Sequence, residues 1–442
     1  MIFALLFCKL MILLLTPLGR GSSFPGSMAL RIYPNILKKM KLPEQIIAVT
    51  GSNGKTSTTE FIYEVAKATK KKVISNHEGS NQIDGVVTLF VRHSNIFGKV
   101  KADIAIIESD ERYCQYTFKY FTPHVIVITN LFRDQMTRNG HNEFVYDELK
   151  KGLPAFSVLV LNADDPLTAS FAEGREQVIY FGIDPFVFPP DDNPDAVVDD
   201  GKYCPVCGGL MKYEYRLINH LGQFRCMTCE FSRKRTSHEI TSVTKDKLTA
   251  DGMYDIKPQM MNSMFAANII AAFTVGVESI ALPAETVTEV LDGYILKNDR
   301  LKKYGIGEHK GIFMLSKHEN IMSYNVALQN IIRSRSKKKT VVVIFDLLSR
   351  RYIANDISWI WDIDFELLNR EQVAKVIVSG AFAEDLAVRM IFAGISEERL
   401  LIVPDIGIMT ESLGETAEGE IFVMTCFTDV KKFTSRLKGG GK

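Results

Sequence analysis

The sequence has no excess of charge of either sign. Its 442 residues carry 53 Lys and Arg against 52 Asp and Glu, a net charge of +1. No global field therefore steers the chain towards a polyanion, and a general nucleic-acid binder is disfavoured. The composition of a disordered, collagenous or low-complexity chain is also missing: Gly (30) and Pro (15) are few, and hydrophobic residues make up 46%. No repeat of fixed period runs through it. Nor is there a disulfide framework, because the seven cysteines are odd in number and four of them fall into two Cys-x-x-Cys pairs, a pattern that suits metal in a reducing compartment. The expected location is the cytoplasm. At roughly 100–200 residues per domain, the length calls for two or three domains.

One apolar run stands out. Ile2 to Leu18 is broken only by Lys9, Thr16 and Pro17, and its length lies at the lower edge of what spans a bilayer. A secretory signal is disfavoured, since a charged n-region is missing and Gly19-Arg-Gly-Ser-Ser-Phe-Pro-Gly26 offers no small-x-small cleavage site. Three readings stay open: a helix buried in the fold, a membrane-surface anchor within residues 1–20, and a single span. Arg20, Arg31, Lys38, Lys39 and Lys41 follow, so with membrane contact the rest of the chain stays on the cytoplasmic side, peripheral to the inner face.

From residue 45 onward, short β-rich runs alternate with helical patterns, which predicts an α/β chain with parallel sheets. Strands are expected at 46–50, 102–108, 125–129, 158–161 and 178–181, with the first crossover helix over 55–67. A second series follows, with strands at 340–345, 375–379, 400–403 and 421–424. The expected organisation is a lead-in (1–44), a P-loop ATP-binding domain (45–295) with a small insert (198–238), and a Rossmann-like C-terminal domain (296–442).

Three motifs carry chemistry. Ala48-Val-Thr-Gly-Ser-Asn-Gly-Lys-Thr-Ser57 sits where strand runs into helix. Gly51 and Gly54, with Asn53 between, let backbone N–H groups close round a phosphate. Lys55 reaches the terminal phosphates, and the hydroxyl of Thr56, followed by Ser57, suits Mg²⁺. Glu108-Ser-Asp-Glu111 ends an apolar strand, where such sheets place ligand-binding carboxylates, and Glu108 is the candidate Mg²⁺ ligand, a solvated loop being the alternative. Cys204-Pro-Val-Cys207 and Cys226-Met-Thr-Cys229 have zinc-ribbon spacing. Four thiolates leave no open coordination position, so the zinc is structural. Basic residues from Lys202 to Arg235 make the insert locally positive, for which a solvated face is the simpler reading.

Taken together, Thr50-Gly-Ser-Asn-Gly-Lys-Thr56, Thr129-Asn-Leu-Phe-Arg-Asp-Gln135, Leu161-Asn-Ala-Asp-Asp-Pro166, the four-cysteine insert and Asp356-Ile-Ser-Trp-Ile-Trp-Asp362 resemble the MurT family, the Mur-ligase-like subunits of lipid II isoglutaminyl synthase. The resemblance implies a Mur-ligase-like central domain with a zinc-ribbon insert, followed by a Rossmann-like domain. It further implies ATP- and Mg²⁺-dependent amidation, through an acyl phosphate, of the D-glutamate α-carboxylate in the peptidoglycan stem peptide on lipid II. The ammonia source it implies is a glutaminase subunit resembling GatD, whose Cys–His pair is completed by Asp356, with Lys55 and Glu108 as the other catalytic residues. The plainer reading of Asp356 is a helix cap. Asn262 and Arg300 match positions near the nucleotide, although Phe265 replaces the family's second asparagine and residues 348–355 depart from its polar run. The alternatives are a Mur-type or folylpolyglutamate-type amino-acid ligase and a nucleotide-binding scaffold without turnover.

Overall fold

The computed structural model describes all residues except 77–79, 192–197, 298–300, 307–308, 348–355, 427–428, 430–432 and 435–442, and the side chains of 137, 138, 301–303 and 306. The described chain divides into two units.

Unit 1 comprises Met1–Phe132, Asn142–Asp191 and Asp199–Leu296. Runs of Val and Ile buried on both faces form its parallel strands: β1 (Gln45–Thr50), β2 (Val73–Ser75), β3 (Ile104–Glu108), β4 (Val125–Ile128), β5 (Val158–Asn162) and β6 (Val178–Ile183). The chain then leaves the sheet for a two-stranded antiparallel ribbon, β7 (Met211–Ile218) and β8 (Leu221–Cys226), and returns at β9 (His238–Val243), which pairs parallel with β6. Antiparallel β10 (Leu248–Ala250) and β11 (Tyr254–Ile256) finish a nine-stranded sheet of order β11-β10-β9-β6-β5-β4-β1-β3-β2. Strand order reverses at β1, which lies between β3 and β4. A crevice therefore opens at the carboxyl ends of these three strands, where open α/β sheets bind ligands.

The helices that matter for the site are α1 (Ile2–Leu15), α2 (Phe24–Ile32), α3 (Lys55–Lys67), α4 (Ile83–Arg92) and α5 (Ser263–Thr274). α1, α2 and α4 share a core with Ala4, Leu5, Cys8, Ala29 and Phe90. No helix among the described residues is long and apolar enough to cross a membrane, which corrects the single-span reading: α1 has 14 residues, about 21 Å at 1.5 Å per residue.

Unit 2 comprises Arg133–His141, Asp192–Val198 and Lys297–Lys442. Its six-stranded sheet has the order β12-β13-β17-β14-β15-β16, from β12 (Leu301–Ile306), β13 (His309–Ser316), β14 (Lys339–Ile344), β15 (Val373–Ser379), β16 (Leu400–Ile402) and β17 (Glu420–Cys426). All pairings are parallel except the β12–β13 hairpin. α6 (Ile321–Arg333) packs Tyr324 against Phe345 and Trp359.

Candidate nucleotide site and four-cysteine centre

The loop from β1 into α3 is held in place by the loop after β4. Asn130 accepts from the Ser52 N–H through its carbonyl (2.8 Å) and from the Asn53 N–H through Oδ1 (2.9 Å). The Ser52 hydroxyl accepts from the Phe132 N–H (2.9 Å), and Thr129 Oγ1 donates to the Asn53 carbonyl (2.7 Å). Gly51 (φ 124°) and Gly54 (φ 82°) adopt left-handed conformations open to glycine. A Cβ on Gly51 would lie 2.4 Å from Thr129 Oγ1, and one on Gly54 would lie 2.1 Å from Asn268 Oδ1 on α5. Thr56 and Ser57, half-buried, open α3. Contacts within the protein thus hold the shape of the loop.

Its lysine is already engaged. Lys55 is 7% exposed; its ammonium donates to Glu111 (2.9 Å) and to the carbonyls of Ser52 (3.2 Å) and Gly51. The sequence singled out Glu108 of the acidic quartet, and the structure adds Glu111 as the counter-ion. Glu108 ends β3 in register with Val49 of β1. Asn76 clamps its backbone, accepting from the Glu108 N–H (2.7 Å) and donating to its carbonyl (2.9 Å). Glu108 Oε1 accepts from Asn81 (3.0 Å), whereas buried Oε2 has no hydrogen-bond partner among the described residues. A buried carboxylate oxygen left open at a crevice suits a hard cation, so Glu108 and Thr56 fit Mg²⁺.

Of the other sequence candidates, Asn262 caps α5, its Oδ1 accepting from the Phe265 N–H (2.8 Å). Phe265 itself packs edge-on against Phe61 of α3. Arg300 and residues 348–355 lie outside the described residues. Asn268 was not singled out; an asparagine in the apolar run Ala266–Phe273 was the available signal.

The four cysteines converge. Their sulfurs lie within 4.8 Å of one another, with Cys204–Cys229 at 3.8 Å and Cys207–Cys226 at 3.5 Å. Four sulfurs about 2.3 Å from a tetrahedral zinc stand about 3.8 Å apart, so the donor set fits that ion. Amide N–H groups of Cys229 (3.4 Å) and Thr228 (3.3 Å) point at Cys226 Sγ and pull its thiol down to about 6.

Two pins fasten this ribbon to the sheet. Arg233 Nε donates to Asp164 (2.8 Å). At the β7–β8 turn, fully buried His220 sits 3.4 Å from Asp165, which is also fully buried, and packs on Phe132. Burial opposes the imidazolium, but the Asp165 carboxylate outweighs it and holds His220 above its ordinary value. Asp165 also accepts from the Leu131 N–H (2.7 Å). A continuous path therefore runs from the ribbon through Asp165 and Leu131–Phe132 to Ser52 of the phosphate loop.

In unit 2, Asp356 is exposed. Its Oδ1 accepts from the Ser358 N–H (2.8 Å) at the head of the 3₁₀ turn Ser358–Asp362, and the Ser358 amide and hydroxyl hold its carboxyl below the usual range. In the same turn Trp359 is buried, while Trp361 lies outside against Phe392, which is 73% exposed. Asp134 receives Lys317 and Asn320 (2.9 Å) at the start of α6.

Comparison with known proteins matches residues 49–194 to the Mur ligase middle domain and residues 318–430 to the MurT ligase C-terminal family. The chain resembles the MurT subunits of the Mur ligases over most of its length. It is 29% identical over 393 residues to the lipid II isoglutaminyl synthase (glutamine-hydrolyzing) subunit MurT of Staphylococcus aureus (strain COL), covering 88% of this chain and 86% of that protein. To the MurT subunit of Streptococcus pneumoniae (strain ATCC BAA-255 / R6) it is 27% identical over 437 residues, 96% and 94% of the two chains. Among solved structures, a pseudomurein peptide ligase type C from Methanothermus fervidus aligns with TM-score 0.69 at 19% identity, covering 90% of this chain and 79% of that one. MurF from Acinetobacter baumannii aligns at TM-score 0.62 and 15% identity, covering 93% and 80%. These last two establish the Mur ligase fold.

Proposed function

We propose that the chain is the ATP-consuming synthetase subunit of a glutamine-dependent ligase that amidates the D-glutamate α-carboxylate of the peptidoglycan stem peptide on lipid II, giving D-isoglutamine. The observation that carries the reading is the match to MurT subunits over nearly the whole length, including the MurT ligase C-terminal segment. The geometry supports it chemically. Mg²⁺, when bound with the nucleotide, supplies charge neutralisation at the transferring phosphoryl group. Backbone N–H groups of the Gly51–Thr56 loop hold the phosphates, and Glu108 and Thr56 hold the cation. Lys55 exchanges Glu111 for phosphate oxygen and stabilises the charge that develops there.

The acceptor carboxylate attacks the γ-phosphorus and ADP leaves. Ammonia then attacks the acyl phosphate carbon, and phosphate departs as the amide forms. Free ammonia is scarce near neutral pH, so a glutaminase partner resembling GatD supplies it. Asp356, exposed and ionised, orients the partner's catalytic histidine, and the outward Trp361–Phe392 pair offers apolar surface beside it for docking. Asn262 and Arg300 are assigned to the nucleotide side. A lipid-carried acceptor places the chain at the inner face of the membrane, with residues 1–20 as the contact segment, and the four cysteines hold structural zinc.

The test is amidation of lipid II by the purified chain with its glutaminase partner, followed by ADP release and the mass of the product peptide. Amide formation with glutamine and with ammonium chloride is expected. ADP release driven by an amino acid, with that amino acid joined through a peptide bond and no primary amide formed, would assign the chain to the amino-acid ligases.

A further inference from the structure

α1 buries one narrow face and exposes the opposite one. Ala4, Leu5 and Cys8 pack inward, while Phe3 (70% exposed), Leu10 (52%) and Leu13 (72%) face out. Lys9, the single charged residue of the helix, is turned inward as well. Its ammonium donates to the carbonyls of Val91 (2.7 Å) and Ser94 (2.6 Å) at the end of α4, where a cation suits the helix dipole. The outward face is therefore apolar along its whole length. Phe97, 69% exposed, lies in the loop that packs against the start of α1: a Cβ on neighbouring Gly98 would touch Leu5 at 3.5 Å and Met1 at 3.7 Å.

The charge of the N-terminal segment is one-sided. Residues 1–43 contain six Lys and Arg and no Asp or Glu, a charge of +6 in a chain whose total is +1, so everything after residue 43 sums to −5. Arg20, Arg31, Lys38, Lys39 and Lys41 are exposed, and Lys99 and Lys101, close to Phe97, add to them. An apolar helical face beside a cluster of cations, on an otherwise acidic chain, is complementary to a surface with apolar interior and anionic headgroups. A protein partner of ordinary surface offers no such pairing. At about 21 Å the helix is too short to cross a hydrocarbon core of about 30 Å, but it suits an in-plane position at the headgroup boundary.

We propose that α1 docks parallel to an anionic phospholipid bilayer, inserting Phe3, Leu10, Leu13 and Phe97 between the headgroups while the surrounding lysines and arginines engage lipid phosphate. The inference rests on the amidation reading only for the substrate that this surface would bring within reach.

The experiment is co-sedimentation of the full chain with vesicles of phosphatidylcholine alone and of phosphatidylcholine mixed with phosphatidylglycerol. The expected result is binding to the mixed vesicles, at least tenfold weaker to phosphatidylcholine alone and weakened by salt. Phe3→Gln/Leu13→Gln, at exposed positions, should keep the unaltered melting temperature and lose at least tenfold in vesicle affinity. Lys38→Gln/Lys39→Gln should lose several-fold on mixed vesicles only. Equal vesicle binding by unaltered and Phe3→Gln/Leu13→Gln protein overturns the proposal. So does an absence of binding accompanied by a dimer that the same substitutions dissociate, which would assign the face to a second copy. Ammonium-driven amidation of a soluble acceptor peptide, run in parallel, reports on the catalytic reading independently of vesicle binding.

Discussion

The phosphate loop and the Asp356 turn are built in opposite ways. Lys55 and Glu108 are nearly inaccessible, and their positions are fixed by Glu111, Asn76, Asn81 and the loop after β4. Asp356 is exposed, with a local bond to Ser358. On the proposed function, the contrast follows from where each group does its work. A side chain that stabilises charge inside its own crevice gains from burial, because pre-set dipoles act strongly in a low dielectric. A side chain that completes another subunit's site has to stay open, and the partner supplies its remaining surroundings.

Breaking the buried half should have the larger effect. Lys55→Ala is expected to reduce amidation by about a thousandfold or more with either nitrogen donor, since the ammonium acts on the transferring group itself; parallel initial rates with glutamine and ammonium chloride measure it. Breaking the open half should divide the two donors. Asp356→Asn is expected to lower glutamine-driven amidation by about a hundredfold or more while leaving the ammonium-driven rate unchanged. An equal fall in both would return Asp356 to the fold as a plain cap.

Smaller effects should come through the ribbon. Metal analysis is expected to find about one zinc per chain, and Cys204→Ser or chelation should lower the melting temperature and weaken nucleotide binding together, because structural metal contributes folding free energy and the ribbon supports Ser52 through Asp165. Fluorescent-nucleotide titration with and without chelator reads the second effect. His220→Gln should cost about 2 kcal/mol, less than an isolated buried charge because Asp165 keeps its backbone donors. The folded-state value of His220 is raised, so its contribution is fully present below the unfolded value of about 6.5 and is lost as pH rises through the folded value. Thermal melts at rising pH should therefore show the variant and the unaltered protein converging on the alkaline side.

What could be read in advance was whatever local physics writes into consecutive residues. Buried parallel strands such as Val125–Ile128 and the Val341–Ile344 part of β14 appear as unbroken apolar runs, and α3 starts at Lys55 because a glycine able to adopt positive φ precedes it. Cysteine spacing announced a tetrahedral donor set. Pairings across the fold were not legible. Glu108 and Glu111 lie in one acidic quartet, and the turn after β3 decides which of them meets Lys55. The short edge strand β2 and the β12–β13 hairpin carry too little periodicity to stand out. Arg233 looked like part of a basic insert, and His220 carried no signal, until the fold brought Asp164 and Asp165 beside them.

The excursion that carries the ribbon has a kinetic consequence. β6 and β9 are direct neighbours, with Phe181 opposite His238, so the far half of the sheet cannot register until the whole segment between them has been folded back on itself. Closing so long a loop is entropically uphill, increasingly so with its length. A metal clip between Cys204 and Cys229 shortens the free chain before the strands meet. With the proposed zinc, ion capture by the four thiolates is expected to be an early event in assembling the sheet, and a chain synthesised without zinc should complete β9, β10 and β11 slowly, whatever its final stability.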